Sequence, residues 1–422
     1  MPPQIVLLAA LVVGLAAPPA GATSSPSQPS GWRQVRYGAV SLAVPAGWPV
    51  HDLRAEPWRC ARLDVHAAYL GHQGERAACP ARALGRTEVV RIEPLDAATE
   101  PATALATRPV TVAGQAARAD PAGDTSRELV VALDRAGVVV TASYGADPDL
   151  ARRILSTLRV RGPAGPALGA AAPADAATSE GPVVPGVYTG RGFDTCAAPS
   201  LAAMAAWQVS PYRAIGVYIG GSMRACGDGN LSATWIRAVA AAGWHLAPIY
   251  VGLQAPCVYQ PGLAHIDPAT AAVQGAQAAA DAATRAATVF GLGAGTPIHF
   301  DMEAYDRTQP TCVGAVLQFL SAWTGELHRR GYRSGVYSSA ASGVTDLVRH
   351  YGSRWVRQPD TIWFAHWNGV PTTQDPYLPS WAWPDHQRIG QYYGGHEERW
   401  GDVTINIDND AVDAMLVGPP PA

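Results

Sequence analysis

The sequence predicts an α/β chain: a (β/α)8 TIM-type barrel in its C-terminal part, preceded by a small α+β module. Three observations predict this. Eight short apolar runs recur after residue 190, several of them parted by helix-like stretches, and strands alternating with helices call for a parallel sheet. The runs occupy about 240 residues, which suits eight β/α units in count and size. Ahead of them, a run of Ala, Pro and Gly without apolar periodicity interrupts the chain.

The first 22 residues read as an export signal. Ile5 to Ala17 is apolar, and Pro18-Pro19 and the small residues Ala20-Gly21-Ala22 follow, although the usual basic start is missing. The apolar run falls short of the roughly 20 residues that span a bilayer, so no transmembrane segment is expected in the mature chain. Residues 31–160 read as the α+β module. GAVSLAVPAGW, TEVVRIEPL, RPVTVAG, ELVVAL and GVVVTASYG have strand-like alternation or β-branched runs broken by Gly and Pro. DPDLARRILSTLRV opens on Asp-Pro and carries apolar residues at helical spacing. His51, His66 and His72 are scattered, and nothing in the module discloses a role. Residues 161–182, RGPAGPALGAAAPADAATSEGP, cannot bury a core and read as a linker.

Residues 183–422 carry the candidate barrel. Its expected strands are GFDT (192–195), AIGVYIGG (214–221), HLAPIYVG (245–252), PIHFDME (297–303), SGVYSS (334–339), TIWFAHW (361–367), RIGQYY (388–393) and TINID (404–408). SLAAMAAWQ, LSATWIRAVAAAG, DPATAAVQGAQAAADAATRAATVFG and VGAVLQFLSAWTGELHRRG supply the expected helices.

Composition excludes some functions. A formal charge of −3, with no lysine and no basic run, gives no footprint for nucleic acid or an anionic membrane. The six cysteines fit an oxidising compartment, and the lack of a Cys-x-x-Cys pair argues against zinc and thiol redox chemistry. Cys60 and Cys79 precede the linker; Cys196, Cys226, Cys257 and Cys312 follow it. The even count on each side suggests disulfides within each part. Four cysteines allow three connectivities; Cys196–Cys226 with Cys257–Cys312 is preferred and the others stay open.

In such a barrel the chemistry sits where strands end, and polar residues gather there: Asp194, then Asp301 and Glu303, Tyr337, Trp367 with Asn368, Gln391 with Tyr392, and Asp408 with Asp410. A lone strand-end carboxylate is more often a cap or a solvated residue; three strand ends bearing Asp or Glu favour a shared pocket. Asp301 and Glu303 are two residues apart, so they face the same way, with Cα atoms about 6.6 Å apart. Crowded carboxylates resist ionising together, so one stays protonated, the state a general acid needs to protonate a glycosidic oxygen. Trp, Tyr and Gln nearby suit a sugar. The rival chemistries are weaker. IDNDAVD lacks a complete calcium-loop spacing, no Gly-x-Ser-x-Gly elbow occurs, and GLGAG (291–295) precedes its strand, so it reads as a turn.

GFDTCAAPS, YIGGSMRAC, PIYVGLQAPC, DMEAY, SGVYSS, WFAHWNG, GQYYGG and TINIDNDAVD together resemble the secreted actinobacterial glycoside-hydrolase-like family catalogued as domain of unknown function 1906, over residues 186–417. The resemblance implies a TIM barrel related to the Chalaropsis-type (family 25) lysozymes. Their first-strand Asp, fourth-strand Asp-x-Glu and last-strand Asp match Asp194, Asp301, Glu303 and Asp408 here. Where those lysozymes usually place Ser, two residues after the first Asp, this chain has Cys196. The expectation is therefore an exported, cell-wall-associated hydrolase of peptidoglycan glycan. Glu303 would be the acid, Asp301 an orienting or cation-stabilising group, and Asp194 and Asp408 would tune the charges. Tyr337, Trp367, Gln391 and Tyr392 would line the cleft, with no metal or organic cofactor required. The alternative is a glycan-binding or wall-remodelling protein that keeps the pocket without turnover.

Overall fold

In the computed structural model, residues 30–120, 126–161 and 183–419 are described. The expected export signal and nearly all of the expected linker lie outside them.

The N-terminal module contains two sheets. β1 (Trp32–Tyr37), β2 (Val40–Pro45) and β10 (Arg159–Val160) form an antiparallel three-stranded sheet in the order β1-β2-β10. The other has the order β3-β4-β5-β9-β8-β7-β6, from β3 (Val50–Asp52), β4 (Ala67–Leu70), β5 (Val89–Pro94), β6 (Arg108–Val112), β7 (Gln115–Ala119), β8 (Glu128–Leu133) and β9 (Val138–Ser143). One-turn α1 (Glu100–Thr103) and the helix α2 (Pro148–Ser156) complete it. Asp147 caps α2 by accepting the Leu150 N–H at 2.9 Å, and Pro148 occupies the first turn, where no N–H is needed. Its apolar face joins Ile154 to a core with Leu42, Val44, Ile92 and Val140.

The C-terminal part contains β11 (Val184–Asp194), β12 (Tyr212–Gly220), β13 (His245–Tyr250), β14 (Pro297–Met302), β15 (Arg333–Ser339), β16 (Thr361–Ala365), β17 (Gln387–Trp400) and β18 (Val403–Gly418). Each covers or overlaps an expected strand. They pair in chain order, and β18 returns to β11, closing the sheet. α3 (Leu201–Ala206), α4 (Ala233–Ala241), α5 (Ala271–Thr284), α6 (Pro310–Arg329) and α7 (Thr345–Arg349) lie in the first five connections. The pleat divides the packing. Ile298, Phe300 and Met302 of β14 face the helices with Phe319 and Trp323. Tyr218, Tyr337, Trp363 and Ile389 form a separate interior cluster. Gly275 of α5 lies against the Phe319 carbonyl of α6, where an added Cβ would stand 2.2 Å from the oxygen. Glycine is therefore required for the two helices to approach.

The expected (β/α)8 TIM-type barrel is not what the chain forms. β11 to β17 run parallel, but β18 is antiparallel to both β17 and β11 and also touches β13 at Leu246↔Val417. No helix joins β16 to β17, and β17 and β18 form a hairpin. The cause is local. Residues 366–386 contain Pro371, Pro376, Pro379 and Pro384, each lacking the N–H a helix interior uses. Gly401 and Asp402 both have positive φ, +53° and +65°, the geometry of the two-residue turn that matches strand twist in a hairpin.

The two modules meet through backbone. Leu63 N donates to Ala225 O at 2.7 Å and Gly85 N to Met223 O at 3.0 Å, beside bridges Arg62↔Cys226 and Leu84↔Arg224. Buried ion pairs lie beside them, Arg86–Glu128 at 3.2 Å within the N-terminal module and Arg224–Asp228 at 2.5 Å and Arg285–Asp228 at 3.5 Å within the C-terminal part, and Arg224 reaches Glu128 across the contact at 4.0 Å. Three disulfides are present: Cys60–Cys79, Cys196–Cys226 and Cys257–Cys312. All lie within their module, with the preferred C-terminal pairing.

Candidate active site

β14 alternates, so His299 and Asp301 face the interior while their neighbours face the helices, and Glu303 continues that inward row one residue past the strand. His299, at the base of the row, is fully buried, contacting Pro248 O and Thr361 Oγ1. Burial pushes it down to about 4, so it is neutral at ordinary pH.

Asp194 at the end of β11 lies opposite Asp408 in the β11–β18 ladder. Asp408 and Asp410 are therefore interior residues of an antiparallel strand, not strand ends as expected. The close approach of Asp194 needs Gly216: an added Cβ would stand 2.6 Å from Asp194 Cβ and 2.8 Å from the Trp363 ring. Gln391 ties the two sides together. Its Nε2 donates to Asp194 Oδ2 at 2.8 Å and Asp408 Oδ2 at 3.5 Å, while its Oε1 accepts from Tyr337 Oη and Trp367 Nε1, each at 2.9 Å. Trp363 Nε1 donates to Asp410 Oδ1 at 2.9 Å, and the Gly395 N–H donates to Asp408. Gln254 braces the acid pair from behind, donating to Asp301 O and accepting the Glu303 N–H, both at 2.8 Å.

Five carboxyl groups thus crowd one end of the sheet, each at most 5 % exposed. Burial first, and then mutual repulsion, pushes Asp194 and Asp301 well above the carboxylate range. Burial also lifts Asp410 well above it and Asp408 to about 6. Burial raises Glu303 too, but a cation opposes it: Arg82 of the N-terminal module pairs with Glu303 Oε2. In this arrangement Asp301 holds the proton and Glu303 is the more readily ionised of the two. Asp301 Oδ1 and Glu303 Oε1 are buried without a hydrogen-bond partner outside the pair, and the two carboxyl groups interact with each other, which raises Asp301 and lowers Glu303.

Most of the expected set converges here: Asp194, Asp301, Glu303, Asp408, Tyr337, Gln391 and the half-exposed Trp367. Tyr392 does not. Strand alternation turns it away from Gln391, toward Tyr212, Arg191 and Glu398. Sequence reading also missed four participants. Trp363 and Tyr218 share the inward period of their strands and were detectable from it. Gln254, in the loop after β13, and Arg82, from another module, carry no local signal.

The model of one family matches residues 205–412. Over those residues the chain is similar to an Rv2525c-like, glycoside hydrolase-like domain. The matched span includes Asp301, Glu303, Asp408 and Gln391 but begins after Asp194, and it leaves Arg82 outside. Two solved structures resemble the chain. An uncharacterized B. stearothermophilus protein shares 18% identity over 53% of this chain and 99% of its own, at a TM-score of 0.36. The Clostridium perfringens spore cortex lytic enzyme SleM shares 13% over 53% and 67%, also at 0.36. At these TM-scores the likenesses carry no argument about function. No curated protein matches the chain.

Proposed function

We propose that this glycoside hydrolase-like protein is exported and hydrolyses glycosidic bonds of cell-wall glycan, peptidoglycan being the substrate to test first. The observation that carries the reading is the buried pair Asp301 and Glu303, each with one oxygen that finds no partner outside the pair, inside a ring of further carboxyl groups. Glu303 is the general acid, protonating the leaving oxygen as the glycosidic bond breaks. Asp301 orients an N-acetyl group or stabilises the cation developing at the sugar carbon, a substrate-assisted route. Asp194 and Asp408 set the surrounding charge. Gln391, held by Tyr337 and Trp367, offers hydrogen bonds, and the Trp367 ring offers a face for a sugar. The chemistry requires no metal or organic cofactor. Three disulfides support an oxidising location, and among the described residues no helix is long and apolar enough to cross a membrane.

The ion pair on Glu303 favours a second reading, a glycan-binding protein without turnover, because a paired carboxylate is a poor acid. Incubating the full chain with purified peptidoglycan and measuring new reducing ends tests both. Release of reducing ends supports hydrolysis; binding without release favours the second reading.

A further inference from the structure

Arg82 belongs to the segment Cys79–Arg86, which leaves the N-terminal module and enters the mouth of the closed sheet. Cys79 is tethered to Cys60. Ala81 N donates to Asn406 Oδ1 of β18 at 2.7 Å. Leu84 is buried in the interior cluster with Tyr218, Tyr337 and Trp363, and Gly85 is fixed to Met223. Between these anchors the Arg82 side chain, 24 % exposed, pairs with Glu303, and its guanidinium carbon lies 5.7 Å from the centre of the Trp367 ring. Both partners are groups a bound sugar would need: the acid, and an aromatic face on which a ring could stack.

Resting on the hydrolase reading, we infer that Cys79–Arg86 is a built-in plug that holds the glycan site shut, with Arg82 occupying the position of the substrate. Exposure supports it, since carboxyl groups at most 5 % exposed leave no path for a polysaccharide while the segment is seated. Electrostatics acts in the same direction: the guanidinium opposes the rise that burial gives Glu303, which favours the charged form of the acid. When Arg82 leaves, that opposition leaves with it. Among the described residues, the ion pairs that cross between the modules here are Arg82–Glu303 and Arg224–Glu128, the latter at 4.0 Å, and the desolvation cost of such buried pairs largely offsets their attraction. Such a contact can separate more readily than an apolar core.

The test compares the full-length wild type with Arg82→Gln, which removes the ion pair, and with Leu84→Asp, which unseats the segment. Two readouts are taken: carbodiimide-driven coupling of glycine ethyl ester to Asp301 and Glu303, located by peptide mass mapping, and reducing ends released from peptidoglycan. A plug predicts protection of both carboxyl groups in the wild type. It also predicts at least a tenfold gain in labelling and initial rate in Arg82→Gln, because activity scales with the open fraction. Leu84→Asp should behave likewise, and Arg82→Lys should stay near wild type. Equal labelling of wild type and Arg82→Gln, with matched melting curves, overturns the plug even if peptidoglycan is cleaved. Increased labelling without cleavage by any variant keeps the plug and rejects the hydrolase reading.

Discussion

Gln391 is the keystone of the polar network, and replacing it with Leu should register in stability before any substrate is added. The substitution keeps approximate volume but removes two donated and two accepted hydrogen bonds. The Tyr337 hydroxyl is buried and would lose its acceptor, which costs about 1–3 kcal/mol. Asp194 would lose its shortest donor; because burial already favours its protonated form, that loss is nearer 1 kcal/mol. Trp367 is 55 % exposed, so its N–H can turn to water at little cost. The expected total is about 2–4 kcal/mol, read by urea denaturation at pH 7 as a lower midpoint with an unchanged slope. Tyr337→Phe alone should cost only about 1 kcal/mol, since Trp367 still donates to Gln391. The double variant should cost less than the sum of the singles, with a coupling of about 1 kcal/mol or more. A Gln391→Leu midpoint within about 0.5 kcal/mol of wild type, or strict additivity with Tyr337→Phe, would refute the network.

Two further outcomes follow from the same geometry. Asp408 is pushed up to about 6 by burial from an ordinary 3.8. A raised carboxyl contributes fully below the unfolded value and loses that contribution as pH climbs to the folded one. Stability should therefore fall between about pH 4 and 6, and Asp408→Asn should flatten this fall by on the order of 2–3 kcal/mol, measured by denaturation at pH 4, 5, 6 and 7; identical pH slopes would contradict it. Gly216→Ala would drive a methyl against Asp194 and Trp363, so a loss of about 1–3 kcal/mol is expected in thermal or urea unfolding. Unchanged stability would show that Asp194 does not sit where it is described.

The strands were legible because β-branched and aromatic runs bounded by Gly and Pro mark them without tertiary help. Inward alternation correctly placed Asp301 and Glu303 in one row. The closure was not legible from a count of strands. It depended on two local features passed over as connections: the proline-rich stretch 366–386, and Gly401-Asp402, whose positive φ values turn β18 back on β17. That reversal moved Asp408 and Asp410 from strand ends to a strand interior, yet left them beside Asp194 because the ladder pairs Asp194 with Asp408. Tyr392 follows Gln391 directly on β17, so alternation turns the two to opposite faces, which their grouping at one strand end does not reveal. Arg82 lies 221 residues before the carboxylate it pairs with. No local pattern marks such a partner; only the docking of the two modules creates it.

The central claim is that the Asp301–Glu303 pair breaks glycosidic bonds. Its most direct measurement is the initial rate of reducing-end release from one peptidoglycan preparation, comparing Glu303→Gln with its parent in both the wild-type and Arg82→Gln backgrounds. Asp306→Asn, a change outside the carboxyl cluster, serves as the control. The account predicts that Glu303→Gln lowers the rate by roughly 10²-fold or more, the scale of general acid catalysis, in each background that cleaves. Glycan binding should be retained, and the Asp306 variant should stay near its parent. Equal rates with and without Glu303 would contradict it.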